Sequence, residues 1–348
     1  MLDYTNCNID KVSVHHVGNK TNGEEILLSK KTLDISDSKL RELLFQYFLY
    51  PFPGNEFFSF TFTNQDFLLN ALYNYSSDIF DNPKSFHKNS ENIAMHLFEV
   101  SVHPQIKSGD LFITYFSNLS IDDKSSDAIG IFKSEKRQEF LKLEPRANDF
   151  SLKYDDGIGI DKLDKGCLIF NIEKEKGFKV CILDKSNKSA EAQFWKDNFL
   201  MIIPANDGYH NTREFLTIAK NYITKQFAED FDISKTDQID LLNRSVDYFK
   251  NHDSFEKDDF EKEVFYHPQT IKSFREFDEK YRAQNEMQIS DNFEISSAAV
   301  KKQSRIFKSV LKLDKNFHIY IHGNKELIEQ GIEKDGRKYY KIYYQQES

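Results

Sequence analysis

The most constraining feature of this chain is where its hydrophobic period changes. Between Asp110 and Asp184 apolar residues come in short β-type runs, Asp110–Leu119, Asp127–Lys133 and Glu139–Leu143, split by the polar stretches Ser120–Ser126 and Ser134–Gln138. This pattern predicts an antiparallel meander. The runs Gly166–Glu173 and Gly177–Asp184 predict a further hairpin with Glu175 and Lys176 near its tip. From Ser189 the spacing becomes helical: Phe215, Ala219, Tyr222 and Ile223, then Ile239, Leu242, Val246 and Phe249, then Ile271, Phe274, Phe277 and Tyr281 each mark a helix face. Strands and helices sorted into blocks predict an α+β fold rather than alternating βαβ units.

The N-terminal region mixes both periods. Ile9–Val17 alternates and faces Glu25–Leu28 across a polar turn, predicting a hairpin, while Leu40, Leu43, Leu44, Tyr47 and Phe48 predict a helix closed by Pro51. After a short strand at Phe57–Phe62, Asn64 is expected to cap a second helix running to about Phe80, and Pro83 or Ser85 a third with Ile93, Ala94, Leu97 and Phe98 on one face. At the other end, a helix opened by Ser296 or Ser297 leads into runs at Ile306–Leu313, Phe317–His322 and Tyr339–Tyr344, with a hairpin signal at Asp335-Gly336. The expected architecture is an N-terminal antiparallel-sheet and helix domain over residues 1–190, then a helical block over 191–348 that ends in a small antiparallel sheet.

No apolar run approaches the ~18 residues of a membrane helix, and Met1–Asn6 carries neither a basic nor an apolar leader, so a cytoplasmic protein with no membrane partner is expected. Cys7, Cys167 and Cys181 are odd in number and lack CxxC spacing, which predicts neither a disulfide framework nor a zinc cluster. The net charge of −9 opposes a wholly basic nucleic-acid coat. Its distribution is uneven, because residues 301–348 hold 11 Lys/Arg against 6 Asp/Glu, whereas Lys225–Glu263 holds 12 Asp/Glu against 6 Lys/Arg and reads as a solvated helical face.

Candidate chemistry is sparse. Tyr154–Asp161 crowds carboxylates around Gly157 and Gly159, but it lacks the ligand spacing of an EF-hand and the third glycine of a dinucleotide loop, and is expected to be a structural acidic turn. His15 and His16 point to opposite faces of a strand, and four strand steps separate His318 from His322 by about 13 Å, so neither pair shares a metal. With no GxSxG or HExxH pattern, no catalytic residue, metal or cofactor is predicted.

The remaining constellation is basic: Lys301, Lys302, Arg305, Lys308, Lys312 and Lys315 run from the end of a helix into a strand. There Lys308, Val310 and Lys312 share one face, while Phe307, Leu311 and Leu313 turn to a core. The next strand is expected to set His318, Tyr320 and His322 outward and Phe317, Ile319 and Ile321 inward, with Lys338, Tyr340 and Tyr344 joining the outward set. Cations interleaved with aromatics suit phosphate neutralisation with limited stacking. The competing reading is a solvated sheet face whose lysines guard its edge.

Several stretches together carry a family resemblance: the opening Ile9–His15, the central Gly157–Asn171, Gly177–Asp184 and Lys188–Leu200, then Phe293–Val300, Phe317–Gly323 and the Asp335-Gly336 hairpin. Over nearly its whole length the chain resembles bacterial nucleoid-associated proteins of the NdpA type, most specifically in the central block. The resemblance implies a cytoplasmic protein located at the nucleoid, able to associate with DNA, with no catalytic residues to carry over. Expected partners are DNA and nucleoid proteins, and a homodimer is the prior for a soluble oligomer. The alternatives are a protein-binding adaptor at the nucleoid and a DNA-processing enzyme with an unrecognised site.

Overall fold

Two strand runs in the N-terminal half, Ala128–Phe132 and Cys167–Phe170, are apolar at nearly every position, which suits strands covered on both faces. The computed structural model describes residues 2–121, 124–147, 149–185, 193–305, 307, 310–321 and 327–346. It divides into two compact units, Met1–Ala205 and Asn206–Ser348. The boundary expected at residue 190 lies outside the described residues.

The first unit contains strands β1 (Leu2–Asp3), β2 (Asn8–Val17), β3 (Ile26–Leu28), β4 (Phe58–Phe60), β5 (Gly109–Ile121), β6 (Lys124–Ser134), β7 (Gln138–Arg146), β8 (Asp149–Gly157), β9 (Lys165–Phe170), β10 (Lys179–Asp184) and β11 (Ile202–Pro204). Nine of these form an antiparallel sheet in the order β11-β4-β10-β9-β6-β5-β2-β3, with β1 also paired to β5. The predicted hairpins β2–β3 and β9–β10 are both present. Helices α2 (Ala71–Asp81) and α3 (Phe86–Val100) cover one face, where Leu72, Ile79, Ile93 and Leu97 meet Ile129, Ile131 and Ile169. Helix α1 (Ser38–Leu49) covers the other, with Phe48 stacked on Phe132 at 4.3 Å between ring centroids. Gly130 makes room for this aromatic layer, since a Cβ there would stand 2.3 Å from the Phe132 ring and 2.8 Å from that of Phe116.

Three local expectations change. Helix α2 is opened by Asn70 rather than Asn64: the Asn70 side chain accepts from the Tyr73 N–H at 3.0 Å, whereas Asn64 sits left-handed at φ 59° in a single 3-10 turn. The meander stops after β5–β6, and β6 pairs with β9 instead of the Glu139–Leu143 run. That run belongs to β7, which among the described residues pairs only with β8, in a separate two-stranded sheet. The reason is chemical, because Lys142 and Glu144 alternate with Leu141 and Leu143, and a strand charged on one face cannot enter a sheet covered on both. Finally, Tyr154–Gly157 is the end of strand β8, not a turn.

The second unit packs α4 (Gly208–Asn221), α5 (Lys235–Asn251), α6 (Lys257–Phe265), α7 (Pro268–Gln284) and α8 (Ser297–Ser304) around Phe215, Tyr222, Phe249, Phe260 and Phe274. Ser234 and Asp237 close a capping box on α5. Strands β12 (Ser254–Glu256) and β13 (Asn292–Glu294) pair through Phe255 and Phe293. Most carboxylates of the acidic block are exposed, as expected, but Glu261 is buried and held by Arg275 at 2.6 Å. The C-terminal antiparallel structure consists of two ladders, β14 (Val310–Leu313) with β15 (Phe317–Tyr320), and β16 (Ile328–Ile332) with β17 (Lys338–Ile342).

Candidate nucleic-acid interface

The basic residues are positioned by a helix and a hairpin. Ser296 caps α8 by accepting from the Ala299 N–H at 3.4 Å, which places Lys301 and Lys302 in the last turn, where a cation opposes the partial negative charge of the helix end. Both are exposed, as is Arg305 just beyond the helix. The Lys302 ammonium lies 5.8 Å from the Tyr209 ring centroid. Lys301 borders a depression of about 330 Å³ floored by Phe249 and Val300, whose rim also carries Lys250, His252 and Asp253. There Lys250 is neutralised by Asp247 at 3.1 Å.

In β14, Leu311 is buried and Lys312 exposed, so the expected alternation holds over the described residues, while Lys308 and His322 lie outside them. The inward side of the hairpin, Leu311, Leu313, Ile319 and Ile321, packs on Ile239 of α5. On the outward side Lys312 stands opposite His318, and Val310 opposite Tyr320. Lys312, His318 and Tyr320 are exposed, and Lys315 projects from the turn between the strands. Among the described residues no ion pair holds Lys301, Arg305, Lys312, Lys315 or Lys338, whereas Arg337 is paired to Asp335 at 2.7 Å and Lys341 to Glu329 at 3.8 Å.

Two aromatic placements differ from expectation. Phe317 faces Leu313 across the ladder on the inward side, yet as the first residue of its strand it overhangs the small core and is 62% exposed. Tyr340 packs into the cluster of Ile239, Leu311 and Ile321 instead of joining the outward set. Lys338 lies two residues away on the same side of β17 and remains exposed.

An ionic group that sequence reasoning did not single out lies inside the first unit. Lys133 and Lys165, both nearly inaccessible, meet Glu135 at 3.1 and 3.7 Å, and Lys165 also meets Asp184 at 3.4 Å. The sequence signal was a lysine at the edge of each apolar strand run. Satisfied from both sides, these charges tie the ends of β6, β9 and β10 together. The three cysteine thiols are buried, and burial pushes Cys7 and Cys181 up to about 12 and Cys167 well above its ordinary value, so they remain thiols, not nucleophilic thiolates, at neutral pH. Among the described residues no three metal-ligating side chains gather at one point, and no helix is long and apolar enough to cross a membrane.

No curated protein matches the chain. A family model does: the one described as NA37, nucleoid-associated protein YejK, matches residues 13–337, and the chain therefore belongs to this family of nucleoid-associated proteins.

Proposed function

We propose that the protein binds DNA non-enzymatically at the nucleoid, neutralising backbone phosphates with the cations of its C-terminal segment. The observation that carries this reading is the exposure of Lys312 and Lys315 without ion-pair partners among the described residues, beside His318 and Tyr320 on one uncovered hairpin face. Lys301, Lys302, Arg305 and Lys338 extend the contact, and Lys308 belongs to the same basic run in the sequence. Exposed cations release condensed counterions when they meet phosphates, and an exposed tyrosine stacks on a base without reading its identity. Binding of this kind is indifferent to sequence and steep in salt.

The test is a salt titration of duplex binding by the full chain, wild type against Lys312→Glu combined with Lys315→Glu. Each phosphate contact contributes about 0.9 to the slope of log K against log salt, so the double variant loses roughly 2 units of slope and binds weaker at every salt concentration. Unchanged affinity and slope in a variant that remains folded by circular dichroism would sink the assignment. The net charge of −9 supports a second reading, recruitment through a protein partner. Absence of DNA binding even at low salt selects that adaptor role, and loss of intact DNA selects an enzyme.

A further inference from the structure

The hairpin β7–β8 stands outside the nine-stranded sheet, and its register gathers three apolar pairs on one face, with the carboxylates of Glu139 and Asp156 at one end of that face. On one face the cross-strand pairs are Leu141 with Tyr154, Leu143 with Leu152, and Pro145 with Phe150. All six side chains are exposed, Leu141 at 72% and Tyr154 at 79%. On the other face Lys142 and Lys153 stand opposite one another and both pair with Glu144, at 3.4 and 2.7 Å, while Phe140 stands opposite Asp155 and Arg146 opposite Asp149. The ribbon is thus amphipathic over its central pairs, and none of the described residues covers the three apolar pairs.

We propose that this apolar face is the interface through which two copies of the chain associate. The six side chains expose on the order of 600 Å², at the upper end of what a monomer tolerates in one patch. Two such faces together bury about 1,200 Å², the lower bound for a specific interface. The chemistry selects the occupant. The three apolar pairs carry no cation, and at one end of the face Arg137 is already taken by Asp156 beside Glu139, so a phosphate backbone finds nothing there to neutralise it. The opposite face balances Lys142, Lys153 and Arg146 against Glu144, Asp155 and Asp149 and offers no basic surplus to an anionic membrane.

A second copy meets no such obstacle, because a two-fold pairing centred on the uncharged pairs sets the Glu139/Asp156 ends of the two copies at opposite ends of the interface, where they do not face each other. The layout is also self-complementary. With the central pair Leu143/Leu152 on a two-fold axis, the Leu141/Tyr154 pair of one copy lies over the Pro145/Phe150 pair of the other, an aromatic at each end.

The full chain is tested by sedimentation velocity across a concentration series, wild type against Leu143→Glu with Leu152→Glu. The wild type is expected to move from 41.0 kDa toward twice that mass as concentration rises. The double variant places two charges in the apolar face and weakens self-association on the order of 100-fold or more. Because the hairpin lies apart from both cores of its unit, circular dichroism should report an unchanged fold. The native cysteines are buried, so a single introduced thiol reports proximity: Leu143→Cys should form an intermolecular disulfide under mild oxidant, and Lys142→Cys, one residue away on the opposite face, should not. A wild type that stays monomeric, a dimer that survives the double change, equal crosslinking at both positions, or flotation of the wild type with anionic vesicles each overturns the proposal.

Discussion

Two hairpins of the same geometry end up with opposite surfaces. In β14–β15 the apolar side, Leu311, Leu313, Ile319 and Ile321, is seated on Ile239, and the outward side carries Lys312, His318 and Tyr320. In β7–β8 the apolar side carries Leu141, Leu143, Leu152 and Tyr154 in the open, and the charged side is closed by its own ion pairs. Alternation assigns residues to two faces in both cases, and only the tertiary environment decides which face is covered. The difference shows that the same period-2 pattern serves as half of a core in one place and as an unfilled interface in the other.

The comparison breaks most visibly at its apolar positions. Leu311→Asp removes buried hydrophobic area and inserts an unpaired charge among Ile239, Ile319 and Ile321, at a cost of about 4 kcal/mol that melts the C-terminal hairpin. Leu143→Asp, the same change at an exposed site, should alter the stability of the monomer by no more than about 0.5 kcal/mol. Urea denaturation of the two variants at dilution checks this, and equal losses would mean that β7–β8 is covered by its own chain after all.

The distinction between covered and uncovered faces also has a pH signature inside β2. His15 is buried, with Nε2 3.0 Å from the Ser90 hydroxyl and Nδ1 accepting from the Ser29 N–H at 3.2 Å, while His16 on the opposite face is exposed beside Asp110. Burial, reinforced by His87 and opposed by Glu91, lowers the His15 pKa to about 4. The unfolded chain, titrating near 6.5, therefore binds the proton more readily. Stability is full above about pH 6.5 and falls by about 3 kcal/mol as pH drops toward 4. Urea midpoints measured from pH 7 to 4 should fall steeply for the wild type and more shallowly for His15→Asn. Parallel curves would remove His15 as the cause.

Much of this architecture was legible beforehand because local rules agreed with the fold. The faces of α4 and α5, the β2–β3 and β9–β10 hairpins and the Ser296 cap all follow from spacing and end signals. Asn70 was missed because its role depends on carbonyls brought to it from elsewhere, those of Thr61 and Leu200, each 2.9 Å from its amide nitrogen. The departure of β7 from the sheet was missed because a charged alternation is equally compatible with an edge strand and with a free ribbon. At the candidate interface the outward position of Lys312 and the inward position of Leu311 were readable from period alone. The partial burial of Tyr340 was not, because it requires knowing that both C-terminal ladders share Ile239.

The finest test of the comparison lies one residue from its center. Glu144 sits beside Leu143 in β7 but on the polar face, and Lys153 first and Lys142 second hold its carboxyl below the usual range. A depressed carboxylate contributes stability above its unfolded pKa and loses it as pH falls through the lowered folded value. Glu144→Gln leaves Lys142 and Lys153 facing each other unneutralised, and like charges directly opposite destabilise a ladder. Because the pair is exposed and screened, the effect is small: amide exchange across β7–β8 at pH 7 should accelerate severalfold at low salt and converge on wild type as salt rises. The same variant should retain the sedimentation behaviour of the wild type, since a one-residue step along a strand moves a side chain to the other face. If Glu144→Gln disrupted self-association as strongly as Leu143→Glu with Leu152→Glu, association would run through the whole ribbon and not through its apolar side.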